Sequence, residues 1–228
     1  MRPSLSPVLF AAAVSGQALA ADVPLDARAT YLRLNDDPAL AASPLALAAL
    51  GAVPGDYIRL QSVGDFDNGP DGDTFESLVG VFSSTSTLLP SANQERVPDA
   101  IDVGFEFQTA NTWRGNLPTD IAEDFLISHH ASFGYVIVRV PAGAEFLFVT
   151  PSDSLFYDNT DPDADFGLRV ELVPCPADTS GDGAVNTIDF ITFLNLWNAE
   201  DRLADYDSNG VINTVDVITF LNLWTGGC

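Results

Sequence analysis

Two copies of one pattern, 27 residues apart, occupy the C-terminal quarter of the chain, and no other feature restricts the fold as tightly. Residues 177–197 and 204–224 each open with Ala-Asp, and each closes on Ile-Thr-Phe-Leu-Asn-Leu-Trp, at Ile191–Trp197 and Ile218–Trp224. Between these ends, Asn186-Thr187-Ile188-Asp189 is matched by Asn213-Thr214-Val215-Asp216, a difference of one methylene.

Each copy contains a loop with oxygen donors at the spacing calcium requires. The ion takes six to eight oxygens, and alternate residues of a tight twelve-residue loop can turn their side chains inward to meet it. In the first loop the expected ligands are Asp178, Ser180, Asp182, the Ala184 carbonyl, Asn186 and Asp189, with Gly183 at the sharp turn. In the second they are Asp205, Asp207, Asn209, the Val211 carbonyl, Asn213 and Asp216, with Gly210 at the turn. An isolated Asp/Asn/Gly cluster is commonly only a turn. Turn chemistry alone does not demand two copies at a fixed period.

The last ligand of each loop is Asp where a standard EF-hand has Glu, and one helix follows each loop. With the duplication and the short linker, residues 175–228 resemble a dockerin module. The resemblance implies two bound calcium ions and a cohesin-like or cell-surface anchoring partner. It implies partner contacts at the positions held here by Thr187, Ile188, Thr214 and Val215. Basic residues that many dockerins place further along the helix are replaced by Leu194-Asn195 and Leu221-Asn222. The short form ending in Gly227-Cys228 is similar to terminal modules on exported proteins, where the implied role is anchoring or surface sorting.

The helices expected at about 187–197 and 214–224 are apolar on more than one stripe, so some of that surface should face a partner or the preceding domain.

Export is expected from the N-terminus. Arg2, the apolar Val8–Val14 stretch and Ala18-Leu19-Ala20 read as a secretory signal peptide over residues 1–20. The apolar run is too short to span a bilayer, and no later run is long enough. In an oxidising compartment Cys175 and Cys228 can pair. That disulfide would close a loop of about fifty residues, for roughly 3–4 kcal/mol. The other reading of Cys228 is a processing or attachment site. Thirty-two acidic residues face nine arginines and no lysine, a net charge of −23. Such a surface repels phosphate backbones and anionic lipid, which argues against nucleic-acid and membrane-surface partners.

Residues 21–173 are expected to form a separate β-sandwich, jelly-roll or lectin-like. Its strands are expected at Tyr57–Leu60, Leu78–Phe82, Ile101–Phe107, Phe133–Val140, Phe146–Thr150 and Leu168–Val173. Several alternate polar and apolar residues, as one-sided burial demands. One helix is expected over Ser43–Gly51, with Ser43 as cap and Gly51 as stop. Pro174-Cys175-Pro176 forms the linker, and residues 177–228 the second domain.

Two acidic stretches in this region, 65–73 and 153–165, could supply oxygens to a third calcium ion. The layout resembles the small calcium-dependent galactophilic lectins of bacteria. The matching residues are Pro54-Gly55-Asp56, Asn68 before Gly69-Pro70, and Asp153 with Asp158 and Asn159. The resemblance implies a metal or sugar site at Asn68, Asp153, Asp158 and Asn159, and a non-catalytic, carbohydrate-binding role. Two alternatives stand beside it: a structural cell-surface protein, and a small glycoside hydrolase or other polysaccharide-active component. The sequence has no G-x-S-x-G elbow, no H-E-x-x-H motif and no free Cys with a His partner. Adjacent His129 and His130 would point to opposite faces of a strand. Asp120, Glu123 and Asp124 could form a carboxylate pair for glycoside hydrolysis.

Overall fold

The computed structural model describes residues 20–34, 36–68, 77–103, 118, 121–129, 134–206 and 211–226. The protein is mainly β, with antiparallel sheets, and two α-helices among the described residues. In chain order the strands are β1 (Ala20–Pro24), β2 (Ala29–Thr30), β3 (Leu40–Ala41), β4 (Leu45–Ala46), β5 (Tyr57–Val63), β6 (Leu78–Ser83), β7 (Ala100–Ile101), β8 (Phe125–Ser128), β9 (Tyr135–Arg139), β10 (Phe146–Pro151) and β11 (Gly167–Leu172). The helices are α1 (Thr187–Asn198) and α2 (Thr214–Gly226).

One sheet runs β1-β11-β5-β9, antiparallel throughout. Its strands alternate. Ile58 and Leu60 of β5, Val136 and Val138 of β9, and Leu168 and Val170 of β11 are buried, while Tyr57, Arg59, Gln61 and Tyr135 face outward. The outer face carries ion pairs: Arg169 grips Asp22 across β11 and β1 at 2.7 and 2.9 Å, and the Arg59 guanidinium lies 3.8 Å over the Tyr135 ring.

The second sheet runs β4-β10-β6-β7, with β8 also paired to β6. Every residue of β6 is buried, which explains why Leu78-Val79-Gly80-Val81-Phe82 shows no alternation. Leu78, Phe82, Leu147 and Val149 join the buried face of the first sheet, together with Phe125, Ile127 and the Phe66–Phe166 pair at 4.8 Å. On the other side Val79, Val81 and Phe148 pack under a layer formed by Tyr31, Leu32, Leu34, Val97, Ile121 and Phe156. Arg96 secures that layer. Only 4% exposed, its guanidinium donates to the carbonyls of Leu89, Thr30 and Leu32 at 3.0, 3.1 and 2.7 Å. Burial pushes its pKa down to about 10.

Three expectations are revised. The helix over Ser43–Gly51 is instead strand β4 and a single 3-10 turn, Leu47–Leu50. Leu45 and Ala46 are drawn into pairing with Leu147 and Phe146 of β10, and the Leu47 amide donates to the Glu145 carbonyl, so cross-chain bonding overrides the local helix signal. Gly51 does stop the turn, at φ 74°. The strand expected at Ile101–Phe107 is only Ala100–Ile101 before Asp102, and residues 104–107 lie outside the described residues. Strands β1, β2, β3 and β8 were not foreseen. Ala20, assigned to the signal peptide, opens β1, and residues 1–19 lie outside the described residues.

Gly64 follows β5 at φ +65°, and a Cβ there would collide with the backbone and carboxylate of Asp165. Gly64→Ala should therefore destabilise the protein by at least about 2 kcal/mol, from positive φ and steric overlap together. Urea unfolding monitored by circular dichroism reads this directly, and an unchanged midpoint would refute the close approach of these two loops.

Candidate calcium sites

Helix α1 begins where the sequence repeat places it. Asn186 caps it, its Oδ1 accepting the Ile188 amide at 2.8 Å, while Asp189 reaches back to accept the Asn186 amide at 2.7 Å. The other oxygen of Asp189 accepts the Ser180 amide at 2.9 Å, so this fully buried carboxylate ties both ends of the first loop. Burial raises its pKa, but the Asn186 and Ser180 amides outweigh that and hold it below the ordinary carboxylate value. Asp178 gathers the amides of Gly181, Asp182 and Gly183 at 2.8–3.1 Å and accepts the Ser180 hydroxyl. Gly181 and Gly183 both have positive φ, which lets three successive amides turn toward one carboxylate. Asp182 accepts the Ala184 amide, and the Ala184 carbonyl accepts Asn186 Nδ2.

The second loop repeats the design where it is described. Asp216, also fully buried, accepts the Tyr206 and Asn213 amides at 2.8 and 2.7 Å. Asn213 caps Val215 at 2.7 Å and donates to the Val211 carbonyl at 3.0 Å. Asp205 precedes this network, and Asp207, Asn209 and Gly210 lie outside the described residues. All donor atoms in both loops are hard oxygens, the set that suits calcium.

The helices lock the loops to each other. Phe193 and Phe220, both fully buried, stack at 4.2 Å with rings 4° from parallel. Trp197 Nε1 donates to the Asn213 carbonyl at 3.0 Å, and Trp224 Nε1 donates to the Asn186 carbonyl at 2.8 Å. Each helix thus ends on the other copy's cap. Left exposed are Ile188 and Ile191 on α1 and Val215 and Ile218 on α2, each 47–58% exposed, with Thr187 and Thr214 exposed at the helix starts. Cys175 is disulfide-bonded, and the only other cysteine in the sequence, Cys228, lies outside the described residues.

In the β-rich part, the two acidic stretches come together. Asp67 and Thr160 exchange backbone hydrogen bonds at 2.8 and 3.0 Å, and the Asp65 amide donates to Asp165 at 3.1 Å. This contact groups Asp65, Asp163 and Asp165, with ligand oxygens within 4.8 Å of one another, so that they could hold a metal ion. Asp163 is raised chiefly by the neighbouring Asp165 charge. Asn68, half-buried, adjoins the bridge to the same loop, while Gly69 and Pro70 lie outside the described residues.

A second cluster forms on residues 153–159. Asp153 Oδ1 accepts the Ser154 and Leu155 amides, and Asn159 Nδ2 donates to the Ala27 carbonyl at 2.9 Å. Asp153 Oδ2, Asp158 Oδ1 and Asn159 Oδ1 are buried with no hydrogen-bond donor. Asp37 adds a fourth such oxygen: its Oδ2 accepts the Phe156 amide at 2.8 Å while Oδ1 is buried and unpartnered. Burial raises the Asp153 pKa and the Asp158 charge adds a little, against the lowering by the Ser154 amide, the Asn159 side chain and the Leu155 amide. Buried oxygens left without donors cost about 1–3 kcal/mol each, more when charged, which a cation would offset. Beside this loop a cleft of about 360 Å³ is lined by Leu25–Arg28 and Asn159–Asp161.

Asp153, Asp158 and Asn159 were expected to lie together; the contact of Asp37 with the same loop was not. The setting of Asp37, Asn35-Asp36-Asp37-Pro38, reads only as a turn. The stretches 65–73 and 153–165 read as separate. Of the suggested hydrolase residues, Asp124 is fully buried, Glu123 half-buried and Asp120 outside the described residues; His129 is half-buried, and His130 too is outside them. No family model, curated protein or solved structure matches this chain.

The reciprocal tryptophan bonds make a paired prediction. Trp197→Phe and Trp224→Phe should each cost about 1 kcal/mol, because each removes the indole hydrogen bond that ties one helix to the other copy's cap. Denaturant unfolding followed by helical ellipticity tests this. A variant that matched the parent midpoint would show that its indole bond does not support the helix pair.

Proposed function

We propose that this chain is a secreted, calcium-dependent carbohydrate-binding protein built from a lectin-like β-sandwich and a dockerin-like module. The observation that carries the lectin reading is the set of buried oxygens of Asp153, Asp158 and Asn159 that no backbone amide reaches, beside Asp37 of the N-terminal layer, whose carboxylate accepts the Phe156 amide. Calcium supplies the charge such a group lacks, and it accepts sugar hydroxyls as further ligands. A cleft of about 360 Å³ alongside falls within the ~300–1,000 Å³ range of small-molecule sites. The two sheets that share one core support the sandwich reading.

The dockerin-like reading rests on the duplicated loop-helix units, their carboxylate-held caps and the Phe193–Phe220 stack. Two calcium ions would be held by the first loop and its copy. The exposed Ile188, Ile191, Val215 and Ile218 face, with Thr187 and Thr214 at the helix starts, would receive a cohesin-like or surface-anchoring partner. A lone patch of this kind on an isolated surface is costly, which favours an occupant. No helix among the described residues is long and apolar enough to cross a membrane.

Two measurements test these readings. The full chain on a glycan array should bind in calcium and lose binding in excess chelator, and Asp153→Asn should lose it while its thermal midpoint in chelator matches the parent. Binding in neither condition would favour a structural surface protein over a lectin. Calcium should also raise the melting temperature of the helical module in proportion to log concentration above Kd. Asp189→Ala or Asp216→Ala should remove much of that rise, since each deletes a ligand and two loop-closing hydrogen bonds. A calcium-independent melting temperature in the parent would overturn the loop assignment.

A further inference from the structure

We infer that the first sheet tunes the second calcium loop. Its outer face holds the start of that loop in place, so the second loop binds calcium more tightly than it would alone, while the first loop gains nothing. This rests on the calcium reading of the two loops and adds a regulator that lies outside the repeat.

The two copies meet the sheet differently. The 3-10 turn Arg202–Ala204, which joins them, contacts strand β9. Ile137 of β9, Leu203 and Asp205 together line two voids of only about 30 and 20 Å³. Spaces of that size admit no more than a water or two, so the contact is packed. The first loop instead stands across a cleft of about 910 Å³, with Asp178, Gly181 and Gly183 on one wall and Arg59, Tyr135 and Ile137 on the other.

The asymmetry is written at positions where the copies differ in kind. At the 27-residue period, Arg202 stands where the first copy has Cys175, Leu203 where it has Pro176, and Tyr206 where it has Thr179. Leu203 is half-buried without joining the core cluster of the helical part, and the sheet supplies its cover.

Tyr206 turns this contact into a constraint on the loop. Its amide donates to Asp216, the final ligand of the second loop, and its hydroxyl donates to the Pro176 carbonyl of the linker, both at 2.8 Å. The linker is itself tied to the sheet, since the Val173 amide donates to the Tyr57 carbonyl at 2.8 Å. The Tyr206 ring stands edge-on to Phe193 and Phe220, each at 5.3 Å. The second residue of this loop is thus fixed at once to the closing carboxylate, the linker and the helix core. Its counterpart Thr179 donates to the Asp189 carbonyl inside its own copy. A loop whose entry is already fixed loses less conformational freedom when an ion binds. The coupling is reciprocal, so calcium in the second loop holds the helical module more firmly on the sheet.

Each loop reports through its own tryptophan. Trp197 Nε1 is bonded to the Asn213 carbonyl of the second loop, and Trp224 Nε1 to the Asn186 carbonyl of the first. The test follows both indole N–H resonances by NMR while the full chain, stripped with chelator, is titrated with calcium. Trp197→Phe and Trp224→Phe assign the two signals, and each signal gives the midpoint of its loop. Ile137→Ser removes the contact from the sheet side and alters neither loop. It should weaken the second loop at least about fivefold and shift the first by less than about twofold. Leu203→Ser, from the other side of the contact, should do the same. An unchanged second-loop midpoint in Ile137→Ser, or equal weakening of both loops, would overturn the inference. If Ile137→Ser does not fold, Leu203→Ser decides by the same criterion. Resonances of the parent that ignore calcium would overturn the calcium reading of the loops itself.

Discussion

Carboxylates that accept backbone amides hold this protein at each sharp turn near its candidate sites. Asp178 takes three amides, Asp189 and Asp216 two each, and Asp153 two, while Asp161 accepts those of Asp165 and Phe166. With no lysine and nine arginines in the chain, side-chain cations are too few to neutralise so many acids. Backbone N–H groups do so locally instead, and each such bond both screens a charge and shapes a loop. At Asp153, Asp158 and Asn159 one side-chain oxygen each stays buried beyond the reach of a backbone amide.

The two parts of the chain solve burial differently. In the β-rich part, one sheet alternates between a buried face and a half-buried one that the Arg202–Ala204 turn of the helical part meets at β9, whereas the other is covered on both faces and does not alternate. The outer cover is made by irregular chain rather than by regular strands or helices, and a buried arginine bonds the carbonyls that no ladder reaches. In the helical part the core is small: Ala177, Phe193, Ala204 and Phe220 are its fully buried apolar residues among those described. Its order depends on aromatic stacking, on the crossed tryptophan bonds and on the loops that begin each helix. That dependence ties the order of the loops to the stability of the helices.

Legibility in the sequence followed the range of the interactions. The helix starts at Thr187 and Thr214, the caps at Asn186 and Asn213, and strands β5, β6, β9, β10 and β11 all arise from patterns within a few residues. The failures were long-range. Ser43–Gly51 carries a complete local helix signal, yet Leu45 and Ala46 pair with β10 a hundred residues away. Strand β1 was hidden because Ala20, Ala21 and Pro24 carry no strand signal and its first residue looked like the end of a leader.

By itself the sequence determined where the chain turns and what chemistry the turns contain. A 27-residue repeat fixes two equivalent loops, and Asp, Asn and Gly at set spacing place hard oxygens and permissive backbone within each. Tertiary structure alone decided which loops meet. It brought Asp65 to Asp163 and Asp165, set Asp37 against the amide of Phe156, and crossed each tryptophan to the opposite cap. The reason is physical: ligand spacing inside a loop is set by covalent geometry, but contact across a hundred residues is set by how sheets and layers pack, which no local pattern encodes.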